Sequence, residues 1–77
     1  MEQLQKLGAQ INIRRTILGL TQIDLATLAA VSDATIRYIE KGKPGVAIGH
    51  WIKVADIVGL DLILATKKMS DATRKSV

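Results

Sequence analysis

Two short apolar-periodic runs, 22–29 and 33–41, each opened by a hydroxyl residue, constrain this chain more than anything else in it. Thr21 and Ser32 stand eleven positions apart, each just ahead of a run with helical spacing. A side-chain oxygen there accepts from first-turn amides that have no intrahelical partner. Asp24, three residues after Thr21, can bond back to the cap's own amide, an acidic version of the capping box. Eleven positions hold about two helical turns and a bend. Leu25, Ala26 and Ala29 share one face of the first helix, Ile36 and Ile39 one face of the second, with Val31 between. Ala26 is small where two crossing helices must approach closely.

Two such helices joined by a tight turn have the spacing of a helix-turn-helix, whose second helix enters the DNA major groove. The charge needed for that role is unevenly placed. Residues 1–66 carry seven Lys/Arg against six Asp/Glu, while 67–77 carry four against one, so the formal +4 divides into +1 and +3. The body is no broad polycation, and DNA binding must rest on local placement of charge, helped by a basic tail.

The rest of the chain reads around this pair. Residues 3–18 form a first helix, with Leu4, Leu7, Ile11, Arg14, Arg15 and Leu18 in one stripe that Ile13 and Ile17 widen. Gly19 is its left-handed stop. Gly42 ends the helix at 33–41, and Lys43-Pro44-Gly45 is a loop. A fourth helix spans about 48–58, with Ile48, Trp51, Ile52, Ala55 and Val58 toward the core, and Gly59 closes it. Residues 60–66 alternate like a strand: Leu60, Leu62 and Leu64 on one face, Ile63 and Ala65 on the other. A lone strand cannot pair its own amides, and no second candidate exists, so the expected partner is the same segment of a second copy. The domain is thus 1–66, an all-α four-helix body with a C-terminal dimerisation strand, followed by a flexible basic tail at 67–77.

Several functions are disfavoured. With no cysteine there is no disulfide and no thiolate metal site, which suits a reducing cytoplasm. No stretch resembles a signal peptide or a membrane span. His50 is the lone histidine, without carboxylates at ligand spacing, so no metal or other cofactor is expected. Ser32 is a cap rather than a nucleophile, and 42–45 lacks the spacing of a phosphate loop. No catalytic constellation remains, and the chain is not expected to be an enzyme.

The candidate binding residues are Gln22, Asp33, Ala34, Thr35, Arg37, Tyr38, Lys41 and Lys43. Gln22 opens the first helix of the pair, where side chains and free amides face a phosphate; the plainer reading is a solvated helix start. Ala34 and Thr35 are small enough to approach thymine methyls, while Arg37 and Tyr38 reach further. Asp33 either accepts from cytosine N4 or simply complements the helix dipole. Lys41 and Lys43 serve phosphate, the dipole, or both. Arg15 and Glu40 are placed to pair internally, tying the first helix to the third.

The run Gln22-x3-Ala26, Val31-Ser32, Ile36, Ile39-Glu40-x-Gly42, with Arg15-x3-Gly19-Leu20-Thr21-Gln22 ahead and Ile52-x2-Ala55-x2-Val58-Gly59-Leu60 behind, resembles the phage repressor/Cro and XRE regulators over about residues 7–60. The resemblance implies a lambda-repressor-like, usually dimeric protein that reads double-stranded operator DNA through the helix after the turn. It also implies phosphate contact by Gln22, base contacts by Asp33, Ala34, Thr35 and Tyr38, and an internal Arg15–Glu40 pair. This chain departs from the family in having Ala30 in the turn, where glycine is frequent, and apolar Ile23 and Leu28 at positions often polar. Its short length and apolar 60–65 segment are similar to the HipB class of antitoxins, which implies subunit pairing through Leu60, Leu62, Ile63 and Leu64 and a kinase-type toxin as partner. The expectation is a dimeric, autoregulating repressor, with antitoxin activity as its specialised form. The rival is a protein-interaction module acting through Ile23, Leu28 or the tail.

Overall fold

The computed structural model describes residues 2–67 and holds four helices: α1 (Glu2–Ile17), α2 (Gln22–Ala29), α3 (Asp33–Lys41) and α4 (Ile48–Ile57). The basic tail expected at 67–77 lies, but for Lys67, outside the described residues.

Both expected N-caps are present. Thr21 Oγ1 accepts from the Asp24 amide at 3.0 Å, and Asp24 Oδ2 accepts from the Thr21 amide at 2.9 Å. That bond from the Thr21 backbone, with the one from its hydroxyl, holds the Asp24 carboxyl below its ordinary value. Ser32 Oγ accepts from the Thr35 amide at 3.1 Å. The helix ends repeat one device. After α1 to α4 come Gly19, Ala30, Gly42 and Gly59, all with positive φ. At each, the following amide (Leu20, Val31, Lys43, Leu60) reaches back to a carbonyl five residues earlier, satisfying an acceptor of the last turn. Ala30 at φ 55° does what glycine does elsewhere, and its Cβ makes that conformation costly.

The core is aliphatic with one indole: Ile11 from α1; Leu25, Ala26 and Ala29 from α2; Ile36 and Ile39 from α3; Trp51, Val54, Ala55 and Val58 at α4. Helix α3 is packed between α1 and α2, and α4 lies on α2. Gly8 sets the α1–α3 approach: a Cβ there would fall onto the carbonyl oxygens of Ile39 and Glu40. A Cβ on Gly42 would likewise fall onto the backbone of Leu4 and Gln5. At its other end α1 is tied to α4, where Arg14 Nε donates to the Val58 carbonyl at 2.9 Å.

Three expectations are corrected. First, 60–66 is not a strand: among the described residues no strand occurs, and beyond the Leu60 amide no backbone hydrogen bond joins this segment to the body. A strand needs a neighbour's ladder, and one chain offers none. Leu60 and Leu62 pack against the core, whereas Leu64, expected on the same face, is fully exposed beside Ile63. Second, Ile13, Ile17 and Leu18 are exposed, because α1 ends at Ile17 and buries only the narrow stripe around Gly8 and Ile11. Third, Ile48 and Ile52 are 68% and 53% exposed, and Val54 takes the buried position. Helix α4 is apolar on two faces, and only the one toward α2 is covered.

Candidate nucleic-acid interface

Helix α3 buries Ile36 and Ile39 and turns Asp33, Arg37, Tyr38 and Lys41 to solvent, with Ala34 and Thr35 half-buried at the edge. Lys43 lies beyond its end and folds back, placing its ammonium 4.9 Å from the centre of the Tyr38 ring. The face therefore carries a cation stacked on its one aromatic ring, a contact that holds both side chains at modest gain. Arg37 Nη1 donates to Asp33 Oδ2 at 3.0 Å, one helical turn apart. That hydrogen bond and the adjacent guanidinium charge keep the Asp33 carboxyl below its ordinary value. The Thr35 hydroxyl is engaged with the Ser32 hydroxyl at 2.9 Å, so it stays close to the cap.

Behind this face sits one carboxylate that three elements share. Glu40 Oε2 accepts from Arg15 Nε at 2.6 Å; its Oε1 accepts from Asn12 Nδ2 at 2.7 Å, Arg15 Nη2 at 3.1 Å and Gln22 Nε2 at 3.3 Å. Arg15 Nη1 donates in turn to the Leu20 carbonyl at 2.8 Å, in the link leading to α2. The Arg15 and Glu40 side chains are only 14% and 5% exposed, so this is a largely buried, bidentate ion pair. Burial pushes the Glu40 carboxyl up, but the bonds from Arg15, Asn12 and Gln22 outweigh it and hold the group below its ordinary value. The arrangement locks α3 to α1 and to the start of α2.

Gln22 thus sits at the first turn of α2 with its carboxamide drawn toward Glu40 rather than extended into solvent. Asn12 is the member of this cluster that the sequence does not announce. It reads as a helix-weakening residue, and its signal is only that it lies one turn before Arg15 on the same side.

The family model described as helix-turn-helix matches residues 11–64, most of the chain. The chain belongs to the helix-turn-helix family. The match begins within α1 and runs past α4 into the extended segment, so it takes in the last two turns of α1, the other three helices and the Glu40 cluster. As a helix-turn-helix protein of the XRE type, it is a DNA-binding transcription regulator, with α2 and α3 as the motif and double-stranded DNA as the partner. No curated protein matches the chain. No helix is long and apolar enough to cross a membrane, and no group of His, Cys, Asp or Glu could hold a metal ion, both among the described residues.

Proposed function

We propose that this regulator is a homodimeric repressor that reads a two-fold operator through α3 and represses its own transcription. The observation that carries this reading is the division of α3 into a locked inner side and an open outer one. Ile36, Ile39 and Glu40 are fixed to α1 and α2, while Asp33, Arg37 and Tyr38 are exposed together. A rigid helix presenting a handful of exposed side chains is what direct readout of base edges needs. Gln22, Lys41 and Lys43 border that face and serve phosphates, giving affinity that falls with salt. The reading includes no catalytic step. Dimerisation is supported by the uncovered apolar surface of Ile48, Ile52, Ile63 and Leu64, which line one groove. Footprinting of the full chain on the DNA upstream of its own reading frame tests the proposal. Protection of a two-fold site there, with lost reporter expression, is expected; equal affinity for that DNA and random duplex sinks it.

A second reading has its own observation. Ile13, Ile17, Ile23 and Leu28 are exposed on α1 and α2, and none of them carries a polar group for reading DNA. They support a protein partner, and the antitoxin form of the proposal makes that partner a kinase-type toxin. Co-expression with the product of an adjacent kinase-like reading frame tests it: failure to co-purify removes the antitoxin role and leaves the repressor intact.

A further inference from the structure

The polar groups on the outer face of α3 are not all free to meet a base. Ala34 has none, and the Thr35 hydroxyl is engaged with Ser32. What remains is the Tyr38 hydroxyl, the Lys41 ammonium at the last residue of the helix, and the Asp33–Arg37 pair in its first turns. The pair uses Asp33 Oδ2 and Arg37 Nη1, leaving Asp33 Oδ1 and most of the guanidinium donors to a ligand. Both side chains are about half exposed, and an ion pair so placed adds little to stability. Its clearer consequence is orientation: the carboxylate fixes the plane of an otherwise flexible guanidinium, and the guanidinium offsets a carboxylate that phosphates would repel.

Resting on the DNA-binding reading above, we propose that Asp33 and Arg37 act as one unit that reads a C·G base pair in the major groove. Along α3 the pair offers an acceptor, then donors. A C·G pair offers the complement in the same order: the cytosine N4 donor, then guanine O6 and N7 as acceptors. Asp33 Oδ1 accepts from cytosine N4, and the open edge of Arg37 donates to guanine O6 and N7. A T·A pair sets its O4 acceptor against the carboxylate and is repelled, and a G·C pair presents the right groups in reverse. The unit is therefore directional, and Ala34 beside it is left to contact a methyl group rather than to hydrogen-bond.

The test uses the full chain to enrich duplexes from a random-sequence pool, then measures affinity for the enriched duplex and its single-pair variants. The expected half-site contains one fixed C·G pair. Changing it, or replacing its guanine with 7-deazaguanine, weakens the wild-type chain by about 5- to 150-fold and leaves Arg37→Ala indifferent. Asp33→Ala and Asp33→Asn relax that same pair, and the Asp33→Ala/Arg37→Ala double variant loses no more discrimination than the worse single one. Both positions are exposed, so circular dichroism should show these variants folded. Enriched sites without a fixed C·G pair, or single variants that relax different pairs, overturn the unit while sparing sequence-specific binding. A chain that enriches no sequence overturns both.

Discussion

Asn12 donates to Glu40 Oε1 at 2.7 Å, closer than either Arg15 Nη2 or Gln22 Nε2 comes to the same oxygen. A carboxylate oxygen has two lone pairs, so three donors cannot all be well served. The order of distances makes Gln22 the surplus donor, held weakly at the edge of the motif and free to leave when a phosphate offers a better acceptor. Asn12 and Arg15 together keep the carboxylate satisfied when it goes.

This order predicts unequal costs. Asn12→Ala removes a short bond to a charged, nearly buried acceptor and should destabilise the fold by about 1.5–3 kcal/mol. Gln22→Ala should cost well under about 1 kcal/mol, yet weaken binding to all DNA sequences together. Urea denaturation beside binding to specific and random duplexes checks this. Equal stability losses, or a Gln22→Ala variant that changes sequence preference, would contradict it.

Titration of Glu40 gives a second expectation. Its folded value lies below the ordinary 4.5, so the folded state holds fewer protons there than the unfolded state. The stability this contributes is complete above the ordinary value and is lost as pH falls through the folded one. Asp24 and Asp33 act in the same direction, so the diagnostic quantity is the difference between wild type and Glu40→Gln. Glu40→Gln leaves Arg15 buried without its counter-ion and should cost about 3–5 kcal/mol at pH 7. Thermal melts from pH 7 to 3 should show the gap narrowing below about pH 4.5. A constant gap would place the Glu40 contribution elsewhere than in its charge.

How much of this was legible in the sequence depends on whether the signal was local. The caps at Thr21 and Ser32, the stops at Gly19, Gly42 and Gly59, and the unusual Ala30 are decided by residues a few positions away, and the sequence states them. The placement of α1 against α3 is not local. Gly8 and Asn12 both read as weak points in a helix, because only the backbone of Ile39 and the carboxylate of Glu40, about thirty positions on, explain them. Ile48 and Ile52 misled for a related reason: periodicity marks a face that wants cover without saying whether this chain supplies it.

Ala30 should be improvable. At φ 55° it occupies the left-handed region, which for a residue with a Cβ costs roughly 1 kcal/mol. Its residue is exposed, and its backbone N–H bonds to the Thr27 carbonyl at 3.2 Å, a contact glycine keeps. Ala30→Gly should raise stability by about 0.5–1 kcal/mol, read as a shift in the melting temperature of a few degrees. A destabilised Ala30→Gly variant would mean that unfolded-chain entropy outweighs the relieved strain.

On the proposed function, the segment after α4 should decide whether the protein can read a two-fold site. Leu60 and Leu62 anchor it to the core, while Ile63 and Leu64 project beside Ile48 and Ile52, and the groove they line also takes in Gln3, Leu7 and Leu62. An extended apolar edge with free amides pairs readily with another, and in the proposed dimer a second copy would supply the complement across a two-fold axis. That pairing would turn 60–66 into the strand it is not in one chain, and would bring two α3 helices to about 34–36 Å, one turn of DNA. Ile63→Pro removes a ladder donor, and Ile52→Glu puts a charge into the apolar seam. Neither touches the buried core, so each variant should keep its helical signal, sediment as a monomer and bind a two-fold operator at least tenfold more weakly. If both remain dimers with unchanged operator affinity, this end of the molecule is not the seam. Dimerisation would then have to run through the exposed Ile13, Ile17, Ile23 and Leu28.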